Sequence, residues 1–530
     1  MDKTKSLFLP TFLLILFLLL TGAYLYFFTE YDVEWSGFFS MLLFYALIFY
    51  FGSYAARLRQ SEDVNGVLLA GRQLPLFIAI FTMSATWVGG GFINGTAEYT
   101  YNPDYGLIWV QAPWGYALSL IVGGLFFARR MRNYGFKTML DPLEQRFGKR
   151  MAAVLFLPAL SGEIFWTAAI LTALGTTFGT VLGLELQAAI VISAIIAIAY
   201  TAIGGLWAVA LTDIVQLSLL IIGLVLVLPF ATDHLGGFGA LWQTYSDKFG
   251  AQATLLPSEA ALGDYYWVWW DYALLLIFGG IPWQVYFQRV LSAKTAETAV
   301  KLSIFAGIVC LLAAIPATLI GMVGAVTDWT AMGLPEPETA ASILPHVMRY
   351  LTPPVIATIG LGAIAAAVMS SVDSSILSAA SMTGWNVYRP LFKPDISPEN
   401  LAKVIRRCIW IIGITATILA LQISSVYELW FLCSDFVYCL LFPALVTALY
   451  DPKANVYGAI AGFSVAAFLR FGGGDPTLGI ERIIDYPWST ESEVLFPFRT
   501  VAMLSGLLSI LIVSRLTQRL AMPKVLIKQN

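Results

Sequence analysis

The chain has 530 residues, of which 58% are hydrophobic and only 12% charged, and its formal net charge is -3. An ordinary soluble domain carries about a quarter of its residues as charges. Composition therefore excludes a soluble enzyme and a disordered chain, and the lack of a basic excess excludes a nucleic-acid binder. Cys310, Cys408, Cys433 and Cys439 all lie in apolar segments and suggest no disulfide framework. His234 and His346 are far apart, so neither an HExxH zinc site nor a Ser-His-Asp triad is readable. No GxxxxGK[ST] phosphate loop occurs, so ATP hydrolysis does not supply the driving force.

A membrane-spanning helix needs about 20 apolar residues. Fourteen such segments follow in chain order: 7–28, 35–57, 74–99, 105–128, 151–182, 187–204, 206–230, 266–288, 301–326, 353–385, 404–422, 426–449, 456–471 and 498–518. The first admits a second reading, because Lys3 and Lys5 ahead of an apolar run also suit a signal peptide. Its length and the poor cleavage site at Thr21-Gly22-Ala23 favour an extra spanning helix. With the N-terminus placed in the cytoplasm, only Lys248, Arg349, Arg470, Arg482 and Arg499 of the 30 Lys and Arg fall on the outer side. The positive-inside rule then predicts both termini cytoplasmic.

Segment 74–99 contains Thr86-Trp87-Val88-Gly89-Gly90-Gly91, and segment 266–288 contains Gly279-Gly280-Ile281-Pro282-Trp283. Each glycine costs a helix roughly 1 kcal/mol relative to alanine. In lipid such a break is tolerated where the backbone lines a cavity or is buried in protein. The two segments lie five spans apart and enter from opposite sides. Matched broken helices in inverted halves point to a secondary transporter. Close packing through small residues is the alternative.

Tryptophan stands at both breaks, as Trp87 and Trp283, and Tyr116 and Trp166 lie in the middle of two further spans. Together they suggest a pocket walled by π faces, which suits a quaternary ammonium held by cation–π attraction. The sequence shows no Lys or Arg near the breaks at mid-span, which disfavours a carboxylated substrate. Ser370, Asp373 and Ser374 share one helical face, and such a hard-oxygen cluster suits Na+. Serine-mediated packing with Asp373 paired to an arginine is the alternative. Asp213 offers a second carboxylate, or a charge at a helix end. Glu163 lies on one face with Trp166 and suits pairing with a basic residue near the inner surface. Asp271, Asp435 and Gln111 read as packing or gating polars. Asn94-Gly95-Thr96 matches a glycosylation sequon inside a span, where it is silent.

The stretch from Thr82 to Gly91, then Ile93-Asn94-Gly95-Thr96-Ala97-Glu98, resembles the first core helix of the choline branch of the sodium:solute symporter family. The likeness continues through Gln111-Ala112-Pro113, Met139-Leu140-Asp141-Pro142, Gly280-Ile281-Pro282-Trp283-Gln284 and Ala367-Val368-Met369-Ser370-Ser371, and covers roughly residues 35–515. The resemblance implies an all-α polytopic membrane protein with a five-plus-five inverted-repeat core, and about 14 transmembrane helices once 7–28 is added. It implies Na+-coupled choline import, stimulated by Cl- in animal members. It places choline between Trp87, Tyr116, Trp166 and Trp283. It assigns a primary Na+ site to the carbonyls of Ile80 and Met83 with Ala367, Ser370 and Ser371, and a second, more variable one to Asp213, Ser370, Asp373 and Ser374. The expected organisation is an extra helix and short outer loop at 1–34, a peripheral helix at 35–73, and a first repeat at 74–230. An extracellular loop at 231–265, a second repeat at 266–449, and peripheral helices with a short tail at 450–530 follow. A same-family symporter for betaine, proline or ethanolamine, and a transporter-like membrane sensor, are the competing readings. No nucleophile–base pair is visible, so an enzyme is not expected.

Overall fold

Backbone N–H and C=O groups find no water in hydrocarbon, so a spanning chain must close its hydrogen bonds within helices or a barrel. The structure, a computed structural model, takes the helical solution. It describes residues 5–29 and 69–528, apart from 183, 204, 205, 424 and 492, together with scattered positions between 33 and 50. Among the described residues, extended pairing is limited to three isolated bridges.

Helix α1 spans Lys5–Phe28. A first run of five segments begins with the pair α2, Leu76–Trp87, and α3, Gly90–Tyr101. It continues with α4, Ala112–Val122, carried on by a π turn and a short helix to Tyr134. Helices α5, Lys149–Leu182, α6, Leu186–Ile203, and α7, Leu206–Asp233, complete it. The second run opens with another divided pair, α8, Tyr266–Gly279, and α9, Gln284–Ser292. It proceeds through α10, Ala296–Val326, α11, Pro354–Met382, α12, Pro398–Ala420, and α13, Val426–Phe436. Two further helices follow, α14, Val456–Gly472, and α15, Phe498–Leu516.

Among the described residues nine stretches are long and apolar enough to cross a membrane, or ten when α2 and α3 count as one bent span. The remaining expected segments 187–204, 404–422 and 456–471 fall on α6, α12 and α14, which are helical but lie outside those ten. Helix α12 carries Lys403, Arg406 and Arg407 in its first half. Segment 35–57 lies largely outside the described residues. The expected outer loop holds a helix of its own, Phe238–Phe249, and His346 sits on another, Ile343–Leu351.

Burial separates core from periphery. The apolar window in Val426–Tyr450 is 89% buried and that in Lys149–Thr180 72%, against 22% in Thr11–Phe28 and 28% in Phe498–Leu516. Helices α5 and α13 therefore run through the middle of the bundle, and α1 and α15 present most of their surface outward.

Candidate substrate and ion site

The first break is built by close approach to α11. Helix α2 ends at Trp87, Val88 turns out of the helix, and Gly89 is extended before α3 begins, with a bend of 47°. A Cβ on Gly89 would lie 1.7 Å from Ser371 Oγ, so only glycine lets the backbone sit there. Ser371 uses that proximity and donates to the Thr86 carbonyl at 3.1 Å. One carbonyl left open at the end of α2 is thereby satisfied. The second break follows the same logic. A Cβ on Gly280 would meet Ser119 Oγ at 2.5 Å, and Pro282 cannot donate into a helix before α9 starts after Trp283.

Both breaks deliver a tryptophan to the same place. The ring centroids of Trp87 and Trp283 are 6.0 Å apart, those of Trp87 and Trp166 6.1 Å, and those of Trp166 and Trp283 4.9 Å. Tyr116 joins from α4, 6.2 Å from Trp283. All four are buried. The four aromatics named from sequence thus converge from four separate segments. Two residues of α13 that the sequence reading did not single out complete the wall. Trp430 lies 4.9 Å from Tyr116, and Ser434 Oγ shares a hydrogen bond with the Tyr116 hydroxyl.

A line of rings leads away from this cluster. Trp430 neighbours Tyr427 at 6.0 Å, and Tyr427 stacks on Tyr99 at 3.6 Å. Tyr99 lines a cavity of about 440 Å³ together with Tyr105, Trp109, Tyr272, Phe431 and Glu428.

Beside the rings, between α2, α7 and α11, lies a polar cluster. Asp213 on α7 accepts from Thr82 Oγ1 at 2.5 Å and from the Ser370 hydroxyl. Thr86 and Ser374 hydroxyls meet at 3.3 Å. Asp373 accepts from Thr201 Oγ1 at 2.7 Å, and its other oxygen has no partner. Met83 is buried on the same helix as Thr82, and Ala367 lies one turn before Ser370 and Ser371 on α11.

The structure corrects two sequence expectations here. A cationic side chain does lie near a break. Arg289, six residues beyond Trp283, is fully buried, donates from Nη2 to Ser374 at 2.5 Å and approaches Asp213 at 4.0 Å. It escaped notice because it stands among the basic residues expected at the inner surface, and the short α9 carries it inward instead. The arginine accordingly faces Asp213 and Ser374 rather than Asp373. Glu163, expected to pair with a base, is buried with neither carboxylate oxygen hydrogen-bonded. The secondary polars have plain roles. Gln111 donates to the Trp269 carbonyl, Asn94 to the Ala173 carbonyl, and Asp271 and Asp435 engage arginines.

The profile of the sodium:solute symporter family matches residues 67–465. The high-affinity choline transporter 1 of Drosophila melanogaster is 47% identical over 494 residues, covering 90% of this chain and 78% of the relative. The human high affinity choline transporter 1 is 46% identical over 504 residues, covering 92% and 86%. Among solved structures, an outward-open Na+-coupled sialic acid symporter superposes with a TM-score of 0.74 at 21% identity, covering 92% of this chain and 98% of that one. That likeness supports the inverted-repeat transporter fold and nothing finer. On the match over most of its length, the chain is a multi-pass membrane transporter, not an enzyme, and belongs to the sodium:solute symporter family.

Proposed function

We propose that this chain imports choline across the plasma membrane, driven by Na+ and by alternating access between the inverted halves 74–230 and 266–449. The observation that carries the reading is the convergence of Trp87, Tyr116, Trp166 and Trp283 at two helix breaks. Their faces offer a cation polarisable walls and few hydrogen-bond donors, which matches a quaternary ammonium. The relatives named for choline transport support the same substrate. Arg289 does not favour a carboxylated substrate, because its guanidinium is directed to Ser374 and Gln288 beside Asp213.

For Na+ we infer a primary site between the Ile80 and Met83 carbonyls and Ala367, Ser370 and Ser371, with a second around Asp213, Asp373 and Ser374. Hydroxyl and carboxylate oxygens that already meet between α2, α7 and α11 support this reading. The driving force is adequate. One charge crossing 100 mV gains about 2.3 kcal/mol, and a tenfold Na+ gradient adds about 1.4 kcal/mol. The distribution of Lys and Arg supports cytoplasmic termini; with that orientation the 440 Å³ cavity opens to the outer side and the line of rings is the entry route we infer.

The test is choline uptake and binding with Trp283→Leu, which keeps an apolar side chain and removes the π face. Choline affinity falls at least about tenfold, equivalent to roughly 1.4 kcal/mol. Unchanged affinity in correctly inserted protein removes Trp283 from the site. Uptake with chloride replaced by gluconate tests the Cl- stimulation that the sequence resemblance implies.

A further inference from the structure

Glu163 has no place in the ion and ring assignments above, yet it lies against both. It precedes Trp166 by one helical turn on α5, so the two share a face. Its main-chain carbonyl accepts from Thr167 Oγ1 at 2.7 Å and from Ser375 Oγ at 3.1 Å, which holds this stretch of α5 against α11. The residue is only 3% exposed, and neither carboxylate oxygen closes a hydrogen bond.

Three elements face the carboxyl. Helix α9 presents the Val285 amide and Arg289, α11 presents Ser375, and α13 presents Cys433, and the amide and hydroxyl approach the carboxylate without the geometry of a closed hydrogen bond. Val285 stands two residues beyond Trp283, and Cys433 lies 3.6 Å from the Tyr116 hydroxyl. The carboxyl therefore borders the floor of the ring cluster. The charged and titratable groups around it are Arg289 and Cys433, and Arg289 is already bonded to Ser374. Among the described residues no ion pair engages Glu163.

An isolated carboxylate at this depth is unstable, whereas a neutral carboxylic acid or a carboxylate beside a cation is not. The other buried acids near the rings are engaged: Asp213 by Thr82 and Ser370, and Asp373 by Thr201. Ring faces attract a cation but carry no net charge to neutralise it.

We propose that Glu163 is the exchangeable counter-charge of the cation site, protonated when no cation lies among the rings and ionised when a quaternary ammonium does. This rests on the reading of the rings as the choline site. The exchange balances: the carboxylic acid O–H breaks heterolytically, the electron pair stays on the carboxylate, and the proton leaves to water as the cation arrives. The buried site is then electrically unchanged by loading, and protons compete with choline.

The experiment is equilibrium binding of radiolabelled choline to the full chain in nanodiscs at saturating Na+, from about pH 5.5 to about pH 8.5. In the wild type the apparent Kd rises as pH falls, approaching about tenfold per pH unit on the acid side. Glu163→Gln binds more weakly than wild type at alkaline pH and shows a flat profile. A flat wild-type profile, or a pH dependence that survives in Glu163→Gln, overturns the proposal. Should Glu163→Gln fail to fold, proton release decides. Wild-type protein in weak buffer at acid pH releases about one proton per choline bound, and no release at any pH overturns the proposal. Choline binding that ignores pH sinks the role of Glu163 alone, whereas absence of choline binding at every pH sinks the choline reading with it.

Discussion

Arg289 and Arg470 are both fully buried, and their surroundings differ. Arg470 on α14 makes a two-point contact with Asp435 on α13, at 2.7 and 2.6 Å, and donates to Asp475 at 2.6 Å and to the Gly474 carbonyl at 3.1 Å. Arg499 adds a bond to Asp435 at 2.8 Å, and Asp271 is held by the Thr500 amide and hydroxyl at 2.7 and 2.6 Å. Two arginines meet three carboxylates, and every carboxylate oxygen has a hydrogen-bond partner. Around Arg289 the accounts stay open: its Nε, one oxygen of Asp373 and both oxygens of Glu163 lack partners. A fully connected buried network fixes geometry, while a partly connected one retains capacity for other ligands. The first cluster braces α14 and α15 to the core. The second lies where α2, α7, α9 and α11 meet, among the oxygens inferred to bind Na+.

Removing one partner from the closed network has the largest expected effect. Arg470→Leu leaves Asp435 and Asp475 without their shared cation, at a cost of about 3–5 kcal/mol. Thermal unfolding in detergent should shift steeply downward, or the protein should be lost at expression. A stability close to wild type would mean that the network is not a brace.

The open cluster should respond in transport before it responds in stability. Ser370→Ala combined with Ser371→Ala removes a donor to Asp213 and the hydroxyl that meets the end of α2, with each lost hydrogen bond costing about 1–3 kcal/mol at most. The Na+ concentration for half-maximal choline uptake should rise about tenfold, and choline affinity should fall at low Na+ and partly recover at high Na+. A wild-type Na+ curve would take the primary ion site off α11.

Asp373→Asn sharpens the contrast further. With a single hydroxyl donor and one idle oxygen, Asp373 contributes little to the fold, so unfolding should move by less than about 1 kcal/mol. The Hill slope for Na+, or the charge moved per choline, should drop. Marked destabilisation with an unchanged Na+ response would place Asp373 with the structural charges instead.

The smallest change is expected at the exposed pair of Glu297 and Lys301, 2.7 Å apart with side chains 68% and 51% exposed. Lys301→Ala should leave thermal unfolding indistinguishable from wild type, because solvent screens an exposed pair. A measurable loss would show that an exposed pair can matter as much to the fold as a buried network.

The breaks, the tryptophans beside them and the serine–aspartate face were legible because glycine, proline and helical spacing act locally. The partners of those residues were not. Asp435 meets Arg470 and Arg499 across 35 and 64 residues, and Tyr116 meets Ser434 across 318. No spacing rule links positions so far apart, and their meeting depends on how α13 packs against α4 and α14. Arg289 misled for a related reason. Its charge suits a membrane surface, and only the brevity of α9 together with Ser374 on α11 keeps it inside. The count of fourteen segments rested on apolar runs, ten of which fall on described stretches long and apolar enough to cross a membrane.

The three tryptophans are inclined to one another at 50°, 53° and 61°, with centroids no more than 6.1 Å apart. At such separations the optical transitions of neighbouring indoles couple, and inclined planes make the shared excitation chiral. The pocket thereby acts as its own chromophore. On the proposed choline site, a cation entering among the rings should change their spacing and so the near-ultraviolet circular dichroism, giving a label-free reading of occupancy that owes nothing to transport.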